Sequence, residues 1–311
     1  MADVKTTSTD TTPSTTDPAP HADAAKAAAA AGVTVLVWAS GFVVIRDAGS
    51  DLSPGPLALA RLAIASLALT VVVLARGRRG RQLPRSWRSA APIVVYGVLW
   101  LAGYTVAVNA GEQHVDAGTA ALLVNIAPVL IAVGAGLFLG EGFPRTLFLG
   151  LTVAIGGVAI IAADSSAGGD WIGVAFCLLA AVLFTAGMLI QKVAIHQVDG
   201  LTVTWLACVA GTVVLVPWLP QTLDELGSAS NAAVAGAVYL GLFPTAIGFG
   251  TWAYALRRTS TGRLSATTYA VPAVSVLMSW LLLAETPTAF GLVGGALCLV
   301  GVGISRRRSR P

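Results

Sequence analysis

Charge is what this chain has least of for its size. Asp, Glu, Lys and Arg make up 11% of its 311 residues, where a soluble domain carries about a quarter. Water cannot solvate so apolar a surface, and the mean hydropathy of +0.79 implies lipid as the solvent. Cysteine is also scarce. Cys177, Cys208 and Cys298 are odd in number and scattered through apolar stretches, so they offer no disulfide framework and no metal spacing. They read as small packing residues. The three histidines, His21, His114 and His196, fall in a tail and in loops on opposite sides. They cannot converge with a carboxylate or thiol, so neither a metal nor any other cofactor is expected, and no enzymatic constellation emerges. No G-x-x-x-x-G-K-[ST] run is present, which excludes a built-in ATP motor. No Asp or Glu falls in the middle third of an apolar segment, the usual place for a proton relay, so the coupling ion is left open.

What the chain has instead is long apolar runs. A helix needs about twenty apolar residues to cross a hydrocarbon core about 30 Å thick. Ten segments of that order follow one another: Ala28 to Ile45, Pro54 to Ala75, Ala90 to Ala110, Ala117 to Gly140, Thr146 to Ala163, Trp171 to Ile190, Leu201 to Leu219, Ala232 to Leu256, Leu264 to Ala284 and Thr288 to Ile304. Residues 1–27, rich in Thr, Ser, Asp, Pro and Ala, read as a disordered tail rather than a secretory signal. Residues 306–311 form a basic tail. The net charge of +4 does not imply a nucleic-acid partner, because the basic residues sit in short clusters between apolar runs. Seventeen of the nineteen fall in the tails and the even-numbered loops. Arg46 alone lies in an odd-numbered loop, and Arg61 lies inside a segment. Cytoplasmic loops retain Lys and Arg, so ten spans with both termini cytoplasmic are expected.

The two halves of the chain align. Adding 144 to positions in segments three to five reaches segments eight to ten without a gap: Gly97 to Gly241, Pro128 to Pro272, Glu141 to Glu285, Gly150 to Gly294 and Gly157 to Gly301. The first segments agree at a shift of 146, pairing Gly41 with Gly187 and Arg46 with Lys192. Five spans per half is odd, so the second copy enters from the opposite face. The expected fold is therefore all-α integral membrane, ten transmembrane helices as two inverted five-helix repeats over 28–163 and 171–305. Inverted repeats are a recurring design of secondary transporters, because related halves can exchange conformations at similar energy.

These residues also resemble a known family. Trp38, Ser40-Gly41-Phe42, Arg46, Ser53-Pro54 and Arg61-Leu62-Ala63 are similar to the opening of EamA-type proteins of the drug/metabolite transporter superfamily. Ala127-Pro128, then Leu139-Gly140-Glu141 and Gly150, resembles the close of that family's repeat unit. Val271-Pro272, Leu283-Ala284-Glu285 and Gly294 repeat it, with Ala284 where the pattern has glycine. The resemblance implies a ten-helix fold around a central cavity in a bacterial inner membrane. It also implies a small-molecule substrate, with amino acids, related metabolites or drugs exported by alternating access.

Pathway candidates follow from depth. Pro128 and Pro272 each lie ten residues into a span, about 15 Å deep, near the core centre. A proline releases the carbonyl one turn earlier, here on Val124 and Thr268. Either these carbonyls face a solute or the prolines only kink their helices. Asn125 and Tyr269 are equivalent under the repeat. They line a route or bond between helices, since an amide in hydrocarbon needs a partner. Trp38 and Trp100 fall at mid-depth, as cavity wall or as bulky packing, whereas Trp171, Trp218 and Trp252 fit an interfacial belt. Arg61 must pair or snorkel, meeting either a structural partner or an anionic solute group. Glu141 and Glu285 end their helices and read as structural ties. Oligomeric state is left open.

A membrane enzyme, a non-transporting structural or signalling protein, and a channel are the competing classes, although no ring-forming selectivity motif is present. The parity of ten spans is directly testable. A reporter fused after Pro311 should be active in the cytoplasm and silent in the periplasm; the reverse result breaks the ten-span topology.

Overall fold

The structure, a computed structural model, describes residues 19–77, 83–138, 145–166, 171–195, 198–258, 264, 267–285 and 287–305. Glu141, His196 and the basic tail lie outside the described residues. Within them all regular structure is helical. Helices α1 (Ala19–Ala48) and α2 (Pro54–Ala75) are continuous. Of the expected tail, residues 1–18 are outside the description, whereas α1 already begins at Ala19 because its alanine-rich start favours helix. Then come α3 (Trp87–Tyr96), a π-helical stretch Gly97–Tyr104 and α4 (Thr105–Glu112) on one axis. The fourth apolar segment is broken into α5 (Ala117–Val124) and α6 (Ala127–Phe138). Helix α7 (Arg145–Ser166) precedes α8 (Trp171–Ala194) and α9 (Gly200–Leu215). A short helix not expected from hydropathy, α10 (Leu219–Ser228), follows. Then α11 (Asn231–Leu240), a second π-helical stretch Gly241–Ile247 and α12 (Gly248–Leu256) share an axis. Helices α13 (Ala270–Leu283) and α14 (Ala289–Ser305) complete the described residues.

Six of these helices are long and apolar enough to cross a membrane: Ala24–Ala48, Pro54–Ala75, Trp87–Glu112, Trp171–Gln191, Gly200–Ser228 and Asn231–Leu256. Four shorter apolar helices, Ala117–Ile131, Arg145–Ile161, Ala270–Leu283 and Ala289–Ile304, occupy the remaining segments. Long and short helices alike show apolar side chains to the surroundings, among them Leu67, Val71, Val213, Leu281 and Val293. Such a belt is at home in acyl chains. Caps start helices where the backbone leaves the apolar region: the Asp116 carboxylate accepts from the Thr119 N–H at 2.8 Å, and that of Asp199 from the Thr202 N–H at 3.2 Å.

Glycine sets the closest approaches, and these come in pairs. On α7 and α14, a Cβ added at Gly294 would lie 2.5 Å from the Gly157 carbonyl oxygen. One added at Gly301 would lie 2.5 Å from that of Gly150. Shifting 150 and 157 by 144 exchanges one contact for the other, and the crossing order makes the two helices antiparallel. Gly41 against Pro244 and Gly187 against Trp100 are similarly related, through the shifts of 146 and 144. The two π-helical stretches also begin at equivalent positions, Gly97 and Gly241.

Polar ties gather at the helix ends. At one end, Arg46 Nε donates to Glu285 Oε1 at 2.9 Å, and the Ser53 N–H donates to Glu225 at 2.8 Å. Ser230 holds the Asp51 carboxyl below its ordinary range, its N–H donating at 2.8 Å. At the other end, Arg76 and Asp199 lie 3.9 Å apart. Trp171 and Trp218 are exposed near helix starts, but Trp252, expected at the interface, is fully buried against Trp38. Its helix, α12, follows directly on the π stretch.

Ala284 ends α13 with φ 54°, a left-handed position that costs a non-glycine residue roughly 1–2 kcal/mol. The variant Ala284→Gly should raise the thermal midpoint in detergent, gaining about 1 kcal/mol. Gly294→Val should lower it, since overpacking against the Gly157 backbone costs about 1–3 kcal/mol.

Candidate functional site

The π-helical stretches bring the third segment of each half close to the centre of the bundle. A π turn widens the helix by one residue and is found mostly at functional places. Trp100 and Tyr104 project from the first stretch and Pro244 from the second, and all three line a central cavity of about 60 Å³. Rings close around it. Trp100 meets Phe184 edge-on at 4.5 Å between centroids and Phe249 at 5.2 Å, and Trp38 lies 5.4 Å from Phe249. Trp38 is held in place because its indole N–H donates to the Pro244 carbonyl at 3.1 Å.

The broken fourth segment supplies the polar side. Asn125 terminates α5, and Val124, Asn125, Ala127 and Pro128 all face the cavity. The Asn125 amide donates to the Thr268 carbonyl at 3.5 Å, joining the break to the start of α13. That carbonyl is not free as the proline count implied: the Val271 N–H, one residue before Pro272, also donates to it at 3.0 Å. Thr268 and Val271 belong to the cavity wall, whereas Tyr269 and Pro272 do not. Tyr269 packs beside the cluster around Ile126 and Val129, and Pro272 is buried in α13.

Arg61 also lines the cavity, with only 5% of the residue exposed. Its Nε donates to Thr245 Oγ1 at 2.7 Å, and Thr245 in turn donates to the Leu240 carbonyl at 2.8 Å. No carboxylate lies within ion-pair distance of Arg61 among the described residues. The cavity is thus an aromatic box with one guanidinium on its wall. Glu285 lies elsewhere, on an open vestibule of about 580 Å³ with Arg46, Asp47 and Glu112.

Of the candidates chosen from sequence, then, Trp38, Arg61, Trp100, Asn125 and Pro128 share one cavity; Tyr269 and Pro272 stand behind it; Glu285 ties two helix ends. Glu141 is outside the described residues. Sequence reasoning missed Phe184 and Pro244, although the repeat map contained both. Phe184 is Trp38 shifted by 146, and Pro244 is Trp100 shifted by 144. It missed Glu112 as well, a carboxylate only 2% exposed at the end of α4.

An apolar helical bundle holding a cavity lined by rings, an amide and one cation defines a multi-pass membrane transporter of small molecules. The description "EamA-like transporter family" matches the chain twice, over residues 25–163 and 171–307, and the chain belongs to that family. Among its relatives, a probable terminal-alkyne amino-acid exporter of Streptantibioticus cattleyicolor is 39% identical over 91% of this chain and 94% of that protein. An uncharacterized transporter of Bacillus subtilis is 33% identical over 86% of each chain. A probable amino-acid metabolite efflux pump of Escherichia coli is 25% identical over 88% of this chain and 92% of the other. A solved crystal structure shares the fold at a TM-score of 0.62 and 19% identity, covering 91% of this chain and 99% of that one. Family and relatives alike indicate a transporter rather than an enzyme.

Proposed function

We propose that this chain exports α-amino acids with short apolar side chains across a bacterial inner membrane, by alternating access. It does so as ten spans in two inverted five-helix repeats, over 28–163 and 171–305, with both termini cytoplasmic. The charge distribution supports that topology. The paired glycine contacts and the antiparallel course of α7 and α14 support the inverted repeat. In the observed geometry the cavity holds about 60 Å³, room for a few waters. A solute therefore passes only if the halves move apart on one side and then the other. Vestibule and cavity are neighbours in this scheme, since consecutive residues of α1, Ile45 and Arg46, line one and the other.

The observation that carries the substrate class is Arg61. A guanidinium deep in a bundle with no carboxylate partner among the described residues keeps most of its five donors for something else. A carboxylate is the group that its forked geometry matches best. Trp38, Trp100, Phe184 and Phe249 then accept an apolar side chain, and the Asn125 amide adds a polar contact. The amino-acid exporters among the relatives point to the same class.

Purified protein in detergent, titrated with L-propargylglycine, L-norvaline and L-phenylalanine, should bind at least one of them. Arg61→Gln should weaken that binding about 10- to 100-fold, as loss of a charge-assisted hydrogen bond predicts. The methyl ester should bind wild type as weakly as the free acid binds the variant. Equal affinity of acid and ester removes the carboxylate assignment.

A further inference from the structure

Glu112 has no structural explanation in the fold just described. It closes α4, is 2% exposed, and neither carboxyl oxygen has a hydrogen-bond partner among the described residues. Asn109, one turn earlier on the same helix face, has its carbonyl oxygen equally unpartnered. Gly111 explains how so polar a helix end becomes covered: a Cβ there would meet Cys177 Sγ at 2.6 Å, so α8 closes directly over α4. An ionised carboxylate without a donor is strongly disfavoured in such a place. Two cations are near, and neither satisfies it. Arg46 gives its Nη1 to the main-chain carbonyl of Glu112 at 2.6 Å and its Nε to Glu285. Arg61 is within electrostatic reach but bonds Thr245.

The other groups facing Glu112 offer no compensation. From α1 come Arg46 and Asp47; from α2, Arg61; from α8, Cys177; from the α5 cap, Asp116; and from the end of α13, Glu285. On its own strand of chain are Tyr104 and the exposed His114. Asp116 already accepts from the Thr119 N–H and hydroxyl. Glu285 is matched by Arg46. Glu112 lines the vestibule with Arg46, Asp47 and Glu285, and its charge reaches Arg61 and Tyr104 on the cavity wall.

We propose that Glu112 is the proton-exchange site of the carrier, holding a proton in the closed geometry and surrendering it when the ammonium group of an amino-acid solute takes its place. Two donors then compete for one carboxylate. With the solute carboxylate on Arg61 and its ammonium on Glu112, both buried charges are matched. When the solute has left, a proton from the vestibule restores the neutral acid and permits closure. In the exchange the carboxyl O–H breaks, its proton passes to water, and an N–H···O bond from the ammonium replaces it. One proton therefore moves against each solute, which lets an inward proton gradient drive export. This inference rests on the amino-acid reading of the cavity and adds its coupling.

The test is proton release on binding, measured by titrating wild-type protein with L-propargylglycine in two buffers of different ionisation enthalpy. About one proton should leave per solute bound, and affinity should rise about tenfold per pH unit wherever Glu112 starts protonated. The sign follows from competition: lowering the pH supplies the rival donor. Glu112→Gln, which keeps shape and burial, should bind with no proton released and no pH dependence. Infrared difference spectra should show a protonated-carboxyl band lost on binding in wild type and absent in the variant. N-acetyl-propargylglycine keeps the carboxylate but has no ammonium, so it should bind without releasing a proton. Wild-type binding with no proton release, or release that persists in Glu112→Gln, overturns the proposal and leaves the cavity assignment standing. Failure of every amino acid to bind overturns the cavity assignment, and this inference falls with it.

Discussion

Hydrogen-bond donors and acceptors are in short supply inside a bilayer, and nearly every feature of this chain follows from how it matches them. Continuous helix satisfies the backbone internally, so the default is an unbroken apolar rod. Each departure from that default is therefore compensated nearby. Where α5 gives way to α6, Asn125 reaches across to the Thr268 carbonyl. Where Pro244 interrupts a helix, its carbonyl takes the Trp38 indole. Where the fold buries Arg61, Thr245 receives one of its donors and passes the chain of bonds to Leu240. Among the buried polar atoms left without a partner in the described residues are Trp100 Nε1 and Asn125 Oδ1, both on residues that line the cavity, and the carboxyl oxygens of Glu112.

Much of this was legible in the sequence because hydrophobic run length and depth along a helix are one-dimensional quantities. Depth brought Trp38, Trp100 and Pro128 to a common level, Arg61 and Asn125 stood out as polar groups inside apolar segments, and the five share one cavity. Rotation about the helix axis was less legible. Tyr269 and Pro272 have the right depth but face behind the wall, because a π turn or a helix break changes which side chains point inward and hydropathy carries no record of it. Trp252, expected at the interface, is likewise buried. Glu112 failed differently. The apolar window ends at Ala110, which makes a glutamate two residues later look like loop. Its burial depends on α8 pressing over Gly111, a long-range contact that no local window contains.

Under the proposed function, the aromatic box and the Arg61 guanidinium divide recognition between them. Rings accept many apolar shapes and discriminate weakly, because one methylene more or less is worth only about 1–3 kcal/mol. A charged fork discriminates sharply, since a solute without a carboxylate leaves it buried and unmatched. A cavity built this way is strict about the head of its solute and tolerant of the tail.

The mirrored contacts between α7 and α14 have a consequence for balance rather than strength. Gly150 with Gly301 and Gly157 with Gly294 are the same touch made twice, once on each side of an approximate dyad. A duplicated chain is free to alter one of the two without the other. Under alternating access, any such lopsided change weights one orientation of the carrier against its mirror image. The fraction of time spent facing each compartment is then a property of helix seams remote from the solute, where natural variation can retune flux without touching recognition.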